Sequence, residues 1–319
     1  MVFIRTVVAF CLAAASLAAS AQAFPTKPVT MIVPFPPGGS VDAVARQVAA
    51  SLGPYLGQNV LVENKVGAGG TIGSGIAANA APDGYTILLG TTSALGVSPA
   101  LYKSVPYDSL KSFVPIIEVT RGPFVLSVKN DLPVSDLKGL IELAKKNPGK
   151  LNSASAGQGS VHHLALEIFK QAAGLDIVHV PFKGGGPAWT ALVGGQVDML
   201  FDSMPGPLMF QGRAKPIAVA GPQRLPGLPG VPTFAEQGFP AVQTVFFWAM
   251  LAPAGTPPDV VAKLNSALGQ TLRDPVVKGE FAKQSMETSP GTSEEIARFM
   301  AQEIPRWRQV VQKAGLKPE

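Results

Sequence analysis

Val29-Thr-Met-Ile-Val-Pro-Phe-Pro-Pro-Gly-Gly-Ser-Val-Asp-Ala-Val-Ala-Arg46 is the stretch that decides the fold. Val29 to Val33 is mostly apolar and short, as a buried strand should be. Pro34 to Gly39 breaks that strand and forces a loop. Beyond it, Val41, Val44, Ala45, Val48, Ala49 and Leu52 recur at helical spacing, which predicts a helix over 42–52. A strand that passes through a glycine loop into a helix leaves the first-turn N–H groups unpaired. It also turns the positive end of the helix dipole toward the loop. Gly38 and Gly39 carry no Cβ to hold a ligand off this backbone. The unit is a cradle for a small anion.

The same grammar continues outward. Asn59 to Glu63 reads as a second strand, Thr71 to Asn79 as a small-residue helix, and Tyr85 to Gly90, after the Pro82-Asp-Gly84 turn, as a third strand. This order implies a parallel, doubly wound α/β sheet. The pattern restarts with a strand at 124–128 and a helix from a Ser135 cap to Lys146. Further strands are expected at 151–154, 177–180 and 197–201, with helices opening at Gly157-Gln-Gly-Ser160 and Gly184-Gly-Gly-Pro187. After the strand Val245 to Leu251, Thr256 caps a helix with Pro258 in its first turn. Thr292-Ser-Glu-Glu295 opens a last helix as a capping box, with Pro305 expected to kink it. These two helices should return to the first unit. The chain thus divides into 1–23, a first lobe of 24–123 with 247–319, and a second lobe of 124–246. Two crossings make a hinge, and the cleft between the lobes is a natural ligand site.

Composition excludes several functions. Arg5, the apolar run Val7 to Ala18, and Ala21-Gln-Ala23 read as a secretory signal cleaved after Ala23. The single cysteine, Cys11, lies inside that run. The exported chain then has no thiol, which removes disulfides, thiolate catalysis and cysteine-based metal sites. The net charge of +5 is dispersed, which is no nucleic-acid footprint but suits an anionic small ligand. Gly67-Ala-Gly69-Gly-Thr-Ile72-Gly73 places its third glycine one position late for a dinucleotide fingerprint, and neither a phosphate-loop nor a nucleophile-elbow motif occurs. His162, His163 and His179 are the three histidines. No His-Glu-x-x-His is present, and neighbouring helix positions point to different faces, so neither a metal nor another cofactor is expected.

Three loops remain as candidates, each after an expected strand. The first is Pro36, Pro37, Gly38, Gly39, Ser40, Val41 and Asp42. The second is Gly90, Thr91, Thr92 and Ser93, whose hydroxyls can donate to a carboxylate without adding charge. The third is Ala156, Gly157, Gln158, Gly159, Ser160, Val161, His162 and His163. Ligands of open α/β sheets sit at the carboxyl ends of strands, so loops one and two should face loop three. Each loop taken alone also fits ordinary helix capping. Asp42 has two readings, a first-turn carboxylate stabilised by the dipole or a ligand contact. Asp202 ends a strand and should face the cleft; beside an anion it repels unless it receives an ammonium or holds waters. Phe35 either walls the pocket or packs in the core.

Beyond these local readings, the sequence resembles a known family. Lys27-Pro-Val-Thr-Met-Ile-Val-Pro-Phe-Pro-Pro-Gly-Gly-Ser-Val-Asp42, Glu63-Asn-Lys-Val-Gly-Ala-Gly-Gly70, Pro82-Asp-Gly-Tyr-Thr86 and Ala156-Gly-Gln-Gly-Ser160 occur in order. Val180-Pro-Phe-Lys-Gly184, Gly194-Gly-Gln-Val-Asp198, Val231-Pro-Thr233 and Ala252-Pro-Ala-Gly-Thr-Pro257 follow. Together they resemble the periplasmic receptors of tripartite tricarboxylate transporters, the Bug-type receptors. The resemblance implies a two-lobed periplasmic binding protein of the Venus-flytrap, type II-like class. Such a protein acts as a monomer, closes on a small carboxylate and delivers it to a two-component membrane permease. It implies ligand contacts at Pro37 to Ser40, Thr91 to Ser93, Gly157 to Ser160 and Asp202, with Gln158 and His162 at variable positions. Two other readings stay open: an exported hydrolase using His163 with a nearby serine, and a sensing adaptor with the same site.

Overall fold

The computed structural model describes residues 24–203, 212–284 and 286–313. The expected signal, residues 1–23 with Cys11, lies outside them. β1 (Val29–Val33) runs between β2 (Val60–Asn64) and β3 (Thr86–Thr91), parallel to both. A parallel strand covered on both faces must be apolar throughout, and Val29, Met31 and Val33 are fully buried. β2, at the edge, alternates half-buried with exposed residues.

β4 (Phe113–Lys129) is much longer than the strand expected at 124–128. Up to Pro123 it lies antiparallel to β9 (Val245–Pro253), which also pairs with β3. From Phe124 onward its partners are β7 (Met199–Asp202) and β8 (Ala214–Ala220), the latter a strand the sequence reading did not anticipate. β7 then continues, in parallel, to β5 (Asn152–Ser155) and β6 (Val178–Pro181). The sheets are therefore mixed rather than purely parallel, because the strands that link the lobes enter them antiparallel. At the crossing, Phe124 N donates to Thr244 O at 3.0 Å and Thr244 N to Ala220 O at 2.9 Å. The chain leaves the first lobe along β4 and returns beside it along β9.

Helices cover these sheets. α1 (Ser40–Leu56) buries Val44, Ala45, Val48, Ala49, Leu52 and Leu56, and ends at Gly57. That residue has φ +84°, and its N–H reaches Gly53 O at 2.9 Å, so a left-handed glycine closes the helix. α2 (Thr71–Ala78) and the short α3 (Ser98–Leu101) follow in the first lobe. α4 (Leu137–Lys146), α5 (Val161–Ala173) and α6 (Gly185–Val193) belong to the second. α7 (Pro258–Arg273) packs on α1 and β4, α8 (Pro275–Ala282) follows it, and α9 (Ser293–Lys313) packs on β4 and the turn at 93–97.

Local details separate right from wrong expectations. Thr292 Oγ1 accepts from Glu295 N at 3.1 Å while Glu295 Oε2 accepts from Thr292 N at 2.8 Å, a complete capping box. α9 runs unbroken through Pro305. Ser135 does not cap α4; Asp136 does, accepting from Gly139 N at 2.8 Å. Thr256 does not cap α7 either. Its hydroxyl turns back to donate to Pro253 O at 2.8 Å, and Pro257 occupies the cap position.

α9 fixes the C-terminal segment through Ile296, Met300, Ile304, Trp307 and Val311, spaced along one face. Trp307 is 1% exposed, with its indole N–H unpaired among the described residues. Trp307→Ala should lower the unfolding free energy in urea titration by about 3–5 kcal/mol, whereas Trp307→Phe, which also removes the orphan donor, should cost under about 1.5 kcal/mol. Equal losses in the two variants would contradict this packing role.

Candidate functional site

The cleft between the lobes is lined on one side by Phe35, Pro36, Gly39, Ser40, Val41, Thr91 and Ser93. Ala156, Val161, His162, Gly184 to Pro187 and Ser203 line the other side, and Phe124, Phe246 and Trp248 come from the crossing strands. The cavity left among them is about 30 Å³, so the cleft stands nearly shut.

Two helices begin at this cleft without a side-chain cap. α1 starts after Gly39 and α6 after Gly184. Glycine offers no hydroxyl or carboxylate to the first-turn N–H groups, so these donors remain available to a ligand. The two ends also touch. A Cβ built on Gly39 would lie 3.6 Å from Gly186 N, and one on Gly186 would lie 3.0 Å from Gly38 O, in the other lobe. Gly184 has φ +112°, and a Cβ there would press on Pro36 at 3.0 Å. The glycines therefore serve close approach of two backbones as well as turn geometry.

Hydroxyls complete the donor set. Thr91 Oγ1 accepts from Ala94 N at 3.2 Å, which leaves its own proton to donate. Ser93 Oγ accepts from Val161 N at 3.2 Å, across the cleft, and so ties the start of α5 to the first lobe. Ser40 adds a hydroxyl at the first position of α1.

Of the candidate residues, Phe35, Gly39, Ser40, Thr91 and Ser93 meet at the cleft. Pro37 and Gly38 are exposed on the loop beside it. Asp42 does not line it. Its carboxylate accepts from Gly38 N, Arg46 Nε and Asn64 Nδ2 at 2.9, 3.0 and 2.9 Å. Burial alone would raise this carboxyl, but those three donors outweigh it and hold it below its ordinary value. Thr92 is also consumed structurally, exchanging both of its hydrogen bonds with Phe247 of β9.

The third loop is occupied with itself. Ser160 Oγ accepts from His163 N at 3.3 Å and donates to Gly157 O at 2.7 Å, so α5 is capped by its own side chain. Gly159 N donates to His163 Nδ1 at 3.3 Å, and Gln158 is exposed. His163 stacks on His179 with ring centroids 3.8 Å apart. Burial pushes both imidazoles down to about 4, with Lys170 adding to the effect on His163 and His163 adding to that on His179. His163 is thus a neutral structural ring. No serine hydroxyl bonds its side chain among the described residues, where an exported hydrolase would need a nucleophile. Asp202 lies behind the cleft wall and is 1% exposed. It accepts from Trp189 Nε1, from Ser203 N at 2.6 Å and from Ser203 Oγ at 3.2 Å, and His162 Nε2 sits 3.3 Å away.

His162, named within the third loop, does line the cleft, whereas sequence reasoning missed Gly184 to Pro187, Ser203 and the aromatic residues Phe124, Phe246 and Trp248 as cleft residues. Gly184-Gly-Gly-Pro187 carried a usable signal, since it follows a strand and opens a helix as the first loop does. Phe246 and Trp248 stand two apart on β9, hence on one face. Among the described residues no group of three or more His, Cys, Asp or Glu converges to hold a metal, and no helix is long and apolar enough to cross a membrane.

Residues 44–316 match the family described as tripartite tricarboxylate transporter family receptor, TctC. The chain is 38% identical to protein BugT of Bordetella pertussis, over 99% of each sequence. The solved structure of periplasmic binding protein BugD is 37% identical and superposes with a TM-score of 0.88, over 93% of this chain and all of that one. MatC from Rhodopseudomonas palustris, solved with bound malate, is 35% identical with a TM-score of 0.85, over 90% of this chain and all of that one.

The stacked histidines have a measurable consequence. Their folded values lie below the ordinary 6.5, so the unfolded chain binds protons first as pH falls. Stability should be full above about pH 6.5 and decline progressively toward pH 4, before Asp42 begins to protonate. Thermal melts across this range should show the decline, and His163→Phe, which keeps a ring in the stack, should flatten it. A melting temperature constant from pH 7 to 4.5 would contradict the neutral stack.

Proposed function

Since the chain belongs to the tripartite tricarboxylate transporter receptor family, we propose that it is a periplasmic solute receptor that closes two lobes around a small carboxylate. It is a binding protein and not an enzyme, as the family's members are. In this reading residues 1–23 direct export and are removed, and residues 24–123 with 247–319 form one lobe. Residues 124–246 form the other, and the monomer hands its ligand to a two-component membrane permease. The carboxylate is met by backbone N–H groups at the starts of α1 and α6 and by the hydroxyls of Ser40, Thr91 and Ser93.

One observation carries the proposal: two glycine-capped helix ends, one from each lobe, face each other across the cleft. A carboxylate between them receives donors from both lobes at once. It interacts with the closed form more than with the open one, which is the only way a ligand can shift that equilibrium. The malate bound to MatC is an anion of the class this arrangement suits.

The test uses Gly186→Ala. Gly186 is not among the positive-φ glycines, so alanine meets no backbone strain there, but its methyl would meet Gly38 O of the opposite lobe at 3.0 Å. It should penalise closure by about 1–3 kcal/mol, as overpacking does, and leave the melting temperature of the free protein nearly unchanged. Calorimetric titration with the tightest binder from a carboxylate panel should show an affinity loss of about tenfold or more. Undiminished affinity would place the ligand somewhere other than between these helix ends.

A further inference from the structure

A second, larger cavity lies behind the ligand cleft. It measures about 450 Å³, against about 30 Å³ in the cleft itself. Phe124 belongs to the aromatic wall of the cleft with Phe246 and Trp248, while its neighbour on β4, Pro123, lines the second cavity. Successive residues of a strand point to opposite faces, so the two cavities flank the crossing strands. Arg121, two residues before Pro123, keeps to the second face. Among the described residues, Phe246 and Ser203 alone border both cavities.

The walls of this second cavity come from different lobes, and each is braced within its own. Gln223 to Pro226 form the second-lobe wall. Arg224 Nε donates to Glu236 Oε1 at 3.0 Å and its Nη1 to Pro229 O at 3.0 Å, while Leu225 packs against Val125, Val219 and Val231. Ala282, Met286 and Glu287 form the first-lobe wall. Met286 N donates to Phe281 O at 3.0 Å, and Glu287 O accepts from Thr120 Oγ1 at 2.8 Å, which ties this wall to α8 and β4. Neither wall is free to sag into the space between them. They can approach each other when the lobes turn.

Lobes joined by two neighbouring strands turn about those strands as about a hinge. A turn that shuts the cleft on one face parts the walls on the other, and the structure has this form: a narrow cleft and a wide space behind it. Opening the cleft then drives the two walls together. We propose that these walls form a counter-interface, whose contact in the open form sets how much of the ligand-free protein is already closed. The proposal rests on the two-lobed receptor reading above and concerns what tunes its affinity. Gln223, Leu225, Pro226, Ala282 and Glu287 are positioning residues in this account, acting through the hinge and touching no ligand. A receptor that is closed for a fraction of the time loses apparent affinity by that fraction. Whatever keeps the walls apart restores it, by the same factor for every ligand.

Bulk added to either wall tests this. Ala282 and Gln223 are exposed, one on each wall, so Ala282→Trp and Gln223→Trp load the cavity from opposite sides without touching the core. Calorimetric titration with malate, adipate, citrate, glutamate and benzoate should show every ligand that binds the wild type binding each variant about 3–10-fold more tightly, by factors equal within about twofold and in unchanged order. Small-angle X-ray scattering should give each ligand-free variant a smaller radius of gyration than the ligand-free wild type. If one variant fails to fold, the other decides. Weaker or unchanged affinity with an unchanged radius of gyration would overturn the counter-interface, and so would a gain confined to one ligand. Binding of no carboxylate by the wild type would overturn the receptor reading instead, and scattering of the ligand-free proteins would still decide the hinge.

Discussion

The proposed closure brings two helix N-termini together, and each carries the equivalent of about half a positive charge together with unpaired N–H groups. Without an anion between them, like partial charges meet and buried donors go unmet. With one, each end gains about 0.3–2 kcal/mol from the dipole, and each charge-assisted hydrogen bond about 1.5–3 kcal/mol more. The Gly39 and Gly184 caps create the condition, because any serine or aspartate there would satisfy the first turn from within. The contrast stands inside the same molecule. α5 begins at Ser160, whose own hydroxyl serves as cap, and its first turn is further met by Ser93 from the opposite lobe.

The rest of the structure serves this encounter. β4 and β9 run side by side through the junction, so the lobes are joined by two strands and not by flexible linkers. The same strands supply the aromatic wall, which ties the shape of the cleft to the crossing itself. α7 and α9 return to the first lobe and bury their apolar faces there, giving it a firm core against which the other can move.

Much of the fold was legible in the sequence because strand, glycine loop and helix alternate with clear periodicity. The crossing was less so. The first half of β4 contains Pro115, Arg121, Gly122 and Pro123, which read as a loop; pairing with β9 overrides those local signals. At the cleft, Gly39 was legible because its meaning is in the backbone. Asp42, Thr92 and Ser160 are engaged in structural hydrogen bonds, because short polar side chains near helix starts are the groups local structure consumes, and His163 is held by Gly159 and its stack on His179. Which hydroxyl of Thr91, Thr92 and Ser93 faces the cleft depends on strand register with β9, and no single sequence states it. The role of Gly184 to Pro187 was hidden for a similar reason: its glycines acquire meaning only against Pro36 and Gly38 of the other lobe.

The central claim is that an anion makes closure favourable. Small-angle X-ray scattering of the purified protein, free and saturated with the tightest carboxylate of the panel, tests it most directly. The account predicts a smaller radius of gyration and maximum dimension in the bound state, reversed on dialysis. Identical scattering curves at verified saturation would contradict it.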